Sequence, residues 1–282
     1  MRCQWQMFIN LLPHRMRSEV DRQGSRSLQE LRLRLGQPPQ LITAGGEVWL
    51  DQIVKKEDMD FCINAASGYS PWSTATLADG YITAPGGHRL GVCGEFIQKS
   101  GIRSGIQAVS SVCLRVARDF PQIARKANIG TGSALVIGPP GSGKTTFLRD
   151  LIRISSDCNK GSVAVIDEKR ELFPTTHEGL CFPAGKSTDI LSGCPKKDGI
   201  EIALRNMGPR LIAVDEITAA EDCEALIHAG WCGVQLLATA HASSRDDLHA
   251  RSVYKPLVAL GLFDLLIVMG PDKSWTMERM SR

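Results

Sequence analysis

The chain of 282 residues is long enough for one or two domains with their own hydrophobic cores, since domains commonly hold about 100 to 200 residues. Apolar residues make up 43% and charged residues 22%, a composition that indicates a soluble globular protein and excludes a fibrous or disordered one. The net charge of +3 is too small to indicate nucleic-acid binding, so we expect no nucleic-acid partner. The apolar stretch 257–269 contains Asp264 and is shorter than the roughly 20 residues of a membrane-spanning helix.

Nine cysteines are scattered along the chain without a Cys-x-x-Cys pair. This pattern favours reduced thiols in the cytosol over a disulfide framework. It also argues against a structural zinc ion, which needs four ligands at paired spacings. Residues 1–12 show no run of small residues that resembles a cleavage site, so we expect no export.

Residues 1–36 hold seven arginines and three acidic residues, a local excess of +4. A solvated helix surface is the favoured interpretation of this excess. Contact with acidic lipid or with a partner protein is the alternative.

Short apolar runs separated by glycine and proline characterise residues 1–125. Such runs are typical of small strands joined by tight turns, and Pro85-Gly86-Gly87 indicates a hairpin. We therefore predict a smaller, mixed α+β N-terminal domain over 1–125, followed by a polar linker at 126–132. The runs are 31–35, 40–43, 47–50, 81–83, 89–96 and 112–116.

From residue 133 the apolar runs are separated by segments of helix length. Near-continuous apolar strands with this spacing predict an α/β fold, in which helices cover both faces of a parallel sheet. Ligands of such sheets bind at the carboxyl ends of the strands. We predict this domain over 133–282, with strands at 134–137, 162–166, 211–214, 234–238 and 265–269.

The phosphate-binding motif G-x-x-x-x-G-K-[ST] follows the strand 134–137 and precedes a helical run at 146–154. Its glycines let backbone N–H groups surround a phosphate at a helix N-terminus. Lys144 is predicted to reach the β- and γ-phosphates, and Thr145 to bind Mg²⁺. The predicted contacts of ATP are Gly138, Pro139, Pro140, Gly141, Ser142, Gly143, Lys144, Thr145 and Thr146.

Two acids, Asp215 and Glu216, end the apolar strand 211–214. Downstream of a phosphate-binding loop, we expect Asp215 to hold the Mg²⁺ shell through water and Glu216 to polarise the attacking water. A second acidic strand end carries Glu168 and Glu171, which either share the orientation of water or pair with Lys169 and Arg170. The choice of catalytic base among these glutamates stays open.

The strand 234–238 leads to Thr239 and His241. A lone histidine at a strand end is commonly a surface residue with a hydrogen bond. Here all the polar strand ends should line one crevice, so we predict that His241 lies beside the γ-phosphate and distinguishes ATP from ADP, with support from Thr239.

Three segments resemble the secretion ATPases of type II and type IV systems: 204–217, 167–171 and Thr239-x-His241. Two further segments, Glu30-Leu31-Arg32-Leu33-Arg34 with the Gly36 and Pro38 that follow, and Gly80-Tyr81-Ile82-Thr83 with Gly86-Gly87-His88-Arg89, are similar to the stage III sporulation protein AA family of spore-forming bacteria. The similarity covers nearly the whole chain.

This resemblance implies a RecA-like P-loop ATPase that uses ATP and Mg²⁺ and assembles as a ring, expected to be a hexamer. It implies a position on the cytoplasmic, mother-cell side of a membrane, reached through integral membrane proteins of a sporulation channel complex. Such rings need a positive group against the γ-phosphate. Arg115 is the first candidate for this role, and we therefore predict it to be a catalytic residue. The other candidates for the role are Arg89, Arg118 and Arg205.

Several functions compete with the motor hypothesis. A small-molecule kinase would need an arginine-rich lid, and no such insert stands out between Asp215 and His241. A nucleic-acid-dependent ATPase would need a basic stripe with interleaved aromatic residues, but only 6% of the residues are aromatic. A nucleotide-gated scaffold would keep Lys144 and need no working base.

Overall fold

The computed structural model describes residues 1–68, 77–99, 102–158, 161–176 and 179–280. Within these residues the strands are β1 Leu28–Arg34, β2 Gln40–Thr43, β3 Gly46–Trp49, β4 Tyr81–Thr83, β5 Arg89–Lys99, β6 Ile102–Arg115, β7 Ala134–Ile137, β8 Val163–Asp167, β9 Thr175–Thr176, β10 Gly179–Leu180, β11 Thr188–Ser192, β12 Leu211–Ile217, β13 Gln235–Ala240, β14 Leu265–Met269 and β15 Trp275–Arg279. The helices are α1 Trp5–Asn10, α2 His14–Asp21, α3 Gly24–Ser27, α4 Lys56–Ala66, α5 Lys144–Cys158, α6 Lys196–Asn206, α7 Ala220–Trp231, α8 Arg245–Ala250 and α9 Lys255–Ala259.

The chain divides into two compact units. The first comprises Met1–Asp119 and Pro174–Phe182, and the second comprises Phe120–Phe173 and Pro183–Arg282. The first unit therefore ends at residue 119, before the predicted 125, and it includes a segment from the second half of the chain. That segment forms the short hairpin β9–β10, which no apolar run in the sequence indicates.

The first unit contains an antiparallel sheet in the order β3-β2-β1-β6-β5-β4. From Leu31 to Arg34, strand β1 alternates between buried and more exposed residues, which is typical of a sheet with one covered face. Its core combines side chains of the sheet, such as Leu31 and Leu33, with side chains of the helices, such as Phe8, Met16 and Met59. The mixed α+β character predicted for this part of the chain matches this architecture.

The second unit contains a sheet in the order β11-β8-β12-β13-β7-β14-β15. All neighbouring pairs are parallel except β14 and β15. Strands β7, β8 and β13 are buried along their whole length, which explains why they appear in the sequence as continuous apolar runs. The predicted α/β fold with a mostly parallel sheet and helices is confirmed.

The order of the strands determines where the site lies. Strand β7 precedes the glycine-rich loop, and β13 and then β12 lie next to it in the sheet. Because these strands are parallel, their carboxyl ends meet at one edge. No helix in the described part of the chain is long and apolar enough to cross a membrane.

Candidate functional site

The glycine-rich loop connects β7 to α5, whose first residue is Lys144. A Cβ atom on Gly138 would lie 2.7 Å from the backbone oxygen of Met269 and 2.7 Å from Ser142 Oγ, so only glycine fits there. Gly141 has a φ of +77°, a conformation that L side chains rarely adopt. The loop therefore depends on glycine for two different reasons.

Two features of this loop suit an anionic ligand. Ser142 Oγ is buried and has no hydrogen-bond partner among the residues that the structure describes. Lys144 Nζ donates to the backbone oxygens of Gly138 at 2.8 Å and Pro139 at 3.0 Å. Burial lowers the pKa of Lys144, while the charges of Asp215 and Glu216 act in the opposite direction. An ammonium held on carbonyl oxygens can transfer to phosphate oxygens, so the residues present fit a bound phosphate.

A β-bulge places the two acids at the end of β12. The register with β13 shifts between Val214 and Ile217, so that Asp215 and Glu216 lie opposite Thr239. Thr239 Oγ1 donates to Asp215 Oδ1 at 2.5 Å and accepts from the backbone N–H of Glu216 at 2.7 Å. Glu216 has a φ of +51°, which is uncommon for this residue type. Bulges redirect side chains, and this one holds both carboxylates at the carboxyl end of the sheet.

The Asp215 carboxyl is well placed for a metal ion. Burial raises its pKa, whereas hydrogen bonds with Thr239 and Thr145 lower it. Hydroxyl and carboxylate oxygens are the ligands that Mg²⁺ prefers. A magnesium ion bound here would keep several water ligands and share oxygen atoms of the nucleotide phosphates.

The Glu216 carboxylate has a partner on each oxygen. Lys169 Nζ donates to Oε2, and His241 Nε2 lies 2.8 Å from Oε1. Burial alone would raise the pKa of Glu216, but Lys169 and His241 lower it below the ordinary value. Glu216 is therefore held as a carboxylate.

His241 connects this carboxylate to the loop. Its Nδ1 lies 3.3 Å from Lys144 Nζ, which can only donate. Nδ1 therefore accepts, and Nε2 carries the proton towards Glu216.

Tyr254 links the backbone of His241 to β12. Its Oη accepts from the backbone N–H of His241 at 3.3 Å and donates to the backbone oxygen of Ile217 at 3.2 Å. Tyr254 could not be predicted as a site residue, because nothing in its local sequence pattern separates it from a core aromatic residue.

The acids of the second strand end have different roles. Asp167 Oδ1 and Oδ2 accept from the backbone N–H groups of Glu171 and Phe173, both at 2.8 Å, so Asp167 shapes the loop. Glu168 accepts from Lys196, which also lies 3.5 Å from Asp222. The pairing option named Lys169 and Arg170 as the partners of these acids, but in the structure Glu168 pairs with Lys196 and Lys169 pairs with Glu216.

The structure thus brings together Lys144, Thr145, Asp215, Glu216 and His241. The predicted catalytic residue Glu168 instead forms an ion pair with Lys196.

The arginine candidates lie elsewhere in the chain. Arg115 belongs to the first unit, where its Nε lies 3.3 Å from Glu30 Oε2 and its side chain is 66% exposed. Of the remaining arginine candidates, Arg89 stacks on Tyr81, Arg118 donates to backbone oxygens of the first unit and Arg205 lies near Glu201 on α6.

A cavity of 540 Å³ adjoins the loop within the second unit. The loop residues Gly141, Ser142 and Gly143 form one wall. Apolar side chains form much of the rest: Phe120, Ile123, Phe147, Met269 and Trp275. Phe147 and Trp275 are in edge-to-face contact, with centroids 5.2 Å apart. An apolar aromatic cavity beside a phosphate-binding loop has the character of a site for a planar ring.

Solved structures of two other proteins have the same fold. The pilus retraction motor PilT, solved with bound ADP, has a TM-score of 0.61 at 17% identity, over 89% of this chain and 76% of that one. The ATPase DotB of Legionella pneumophila has a TM-score of 0.56 at 18% identity, over 95% of this chain and 80% of that one. The fold is therefore that of the secretion and pilus ATPases.

Sequence comparison is more specific. The family described as "Sporulation stage III, protein AA" matches residues 3–277. The chain is also 34% identical over 279 residues to Stage III sporulation protein AA of Bacillus subtilis (strain 168), an alignment that covers 93% of this chain and 90% of that protein. The chain belongs to this sporulation family, and the resemblance inferred from its motifs is confirmed.

Proposed function

We propose that the second unit binds ATP with Mg²⁺ and hydrolyses it, as a motor that assembles, or drives transport through, a membrane channel complex during endospore formation. The observation that carries the proposal is the contact network from Lys144 through His241 to Glu216, at the carboxyl ends of parallel strands. It joins a phosphate-binding lysine to a carboxylate through one imidazole.

The geometry of the loop supports the following binding roles. The loop 138–143 and the start of α5 hold the phosphates through backbone N–H groups, and Lys144 contributes a positive charge. Thr145 and Asp215 would hold Mg²⁺, Asp215 through water, and the ion when bound would offset phosphate charge. The cavity lined by Phe147 and Trp275 would receive the nucleobase.

Glu216 is the residue that we assign to the attacking water. It is kept ionised, and its backbone is fixed by the bulge and by Thr239. His241 would report the terminal phosphate, because it contacts both Lys144 and Glu216. Glu168 and Glu171 stay secondary candidates for the catalytic base, and Glu168 already accepts a hydrogen bond from Lys196.

The assembly is proposed by analogy with the secretion and pilus ATPases. A ring of identical chains, expected to be a hexamer, would let an arginine such as Arg115 act on a neighbouring subunit. The ring would lie on the mother-cell side of the membrane, held there by integral proteins of the channel complex.

The test is Mg²⁺-dependent phosphate release from ATP as a function of protein concentration. We expect activity that rises more steeply than linearly and is lost in both Lys144→Ala and Glu216→Gln. ATP binding without turnover would favour a nucleotide-gated scaffold or a motor that stays inactive until its membrane partner is added, and adding that partner separates the two. Stimulation by single-stranded DNA would favour a nucleic-acid-dependent ATPase. Failure to bind nucleotide would overturn the proposal.

A further inference from the structure

Lys169 belongs to a network of contacts in the second unit. The network runs from Lys144 Nζ to His241, then to Glu216 and then to Lys169 Nζ. A lysine that the proposed function does not use therefore lies one carboxylate and one imidazole away from the phosphate-binding lysine.

The basic side chains near the acidic strand ends differ in their freedom to move. Arg149 is buried and donates to the backbone oxygen of Glu171 at 2.9 Å. The Lys196 side chain is 3% exposed and lies between Glu168 and Asp222. The Lys169 side chain is 52% exposed, and ion pairs with this much exposure contribute little stability, so it can change partners at small cost.

The electrostatic surroundings of Lys169 also suit contact with a phosphate. Its ammonium is close enough to feel the charges of Glu216, Glu171 and Asp215, which raise its pKa although burial lowers it. A terminal phosphate near Glu216 would add negative charge to this acidic group. A cation already in place there would offset that charge and could donate to phosphate oxygens.

We infer that Lys169 is a phosphate-binding residue of this site, which contacts the terminal phosphate of a nucleoside triphosphate from within the same chain and so favours triphosphate over diphosphate. The inference rests on the proposed function. Lys169 adds a positive charge from the same chain, in addition to any arginine that a neighbouring subunit supplies.

The test is calorimetric binding of MgADP and of the magnesium complex of a non-hydrolysable ATP analogue. Lys169→Met removes the charge, Lys169→Arg keeps it, and Lys197→Met is the matched control because Lys197 is exposed on α6. We expect Lys169→Met to bind the triphosphate analogue at least about tenfold more weakly and ADP within about twofold of wild type, since a hydrogen bond to a charged group has this strength. Lys169→Arg and the control should bind both ligands like wild type.

The outcomes separate the two proposals. Equal binding of the analogue by wild type and Lys169→Met, or a higher rate of turnover in Lys169→Met, would overturn the inference and leave the proposed function standing. Equal weakening of ADP and the analogue would assign Lys169 a general structural role and also overturn it. If wild type binds neither ligand, the proposed function fails and the inference fails with it.

Discussion

At the residue scale, the hydroxyl of Thr239 holds the geometry of both acids on the bulge. It donates to Asp215 and accepts from the backbone of Glu216, so its loss removes one hydrogen bond from each of two polar groups. We expect Thr239→Val to lower the free energy of unfolding by about 1–3 kcal/mol, measured by urea denaturation. Thr239→Ser keeps the hydroxyl and should lose less, and equal losses in the two variants would contradict this role.

The sequence was sufficient to predict some residues of the site and not others. Lys144, Thr145, Asp215, Glu216 and His241 belong to motifs with fixed spacing from a strand, so their convergence follows from a parallel sheet. The partners of Glu168 and Glu216 do not follow from spacing. Lys196 reaches Glu168 from α6, and Lys169 turns towards Glu216 because of the conformation of the loop after β8, which depends on Asp167.

At the element scale, the apolar strands of the parallel sheet were predictable and the contacts between elements were not. Strands β7 and β14 have the predicted bounds, since a buried parallel strand is a continuous apolar run. The hairpin β9–β10 has two residues in each strand, and the bulge in β12 has no apolar signature. Both arise from tertiary pairing, which local sequence does not encode.

The imidazole of His88 joins several elements of the first unit. Nε2 lies 3.1 Å from the backbone oxygen of Gln4, before α1, and Nδ1 accepts from the backbone N–H of Ala117, after β6, at 3.0 Å. The ring also contacts Phe8 edge-to-face. Burial lowers the pKa of His88 to about 4, against a hydrogen bond to Gln4 that raises it. His88 is therefore neutral in the folded protein at pH 7.

The burial of His88 predicts that the free energy of unfolding depends on pH. The imidazole of His88 takes up its proton near the ordinary pKa of 6.5 in the unfolded chain and only near 4 in the folded chain. The contribution of the buried neutral imidazole to the free energy of unfolding is therefore fully present above pH 6.5 and is lost as the pH falls towards 4. We expect a loss of up to about 3 kcal/mol across this window in urea denaturation. His88→Gln keeps polar atoms without a titrating group and should lose less stability over the same window. A wild-type curve with the same slope as His88→Gln would refute the assignment.

At the scale of the whole molecule, the proposed ring places a residue of the first unit at a neighbour's site. Arg115 is the candidate, because its side chain is 66% exposed and an ion pair that involves so exposed a side chain, here with Glu30, contributes little stability. We expect Arg115→Ala to abolish hydrolysis and leave ATP binding intact. Unchanged turnover in this variant would remove Arg115 from the mechanism.

Mixing two inactive variants tests whether the site is shared between subunits. Arg115→Ala supplies an intact Glu216, and Glu216→Gln supplies an intact Arg115. In a ring with head-to-tail interfaces, an equal mixture would complete about a quarter of the sites, because each site draws one residue from each of two randomly chosen subunits. Recovery of about that fraction of wild-type phosphate release would support a shared site. If the mixture stays inactive while exchange of subunits is verified by fluorescence transfer, both residues serve the same chain, and the charge opposite Glu216 must come from within it.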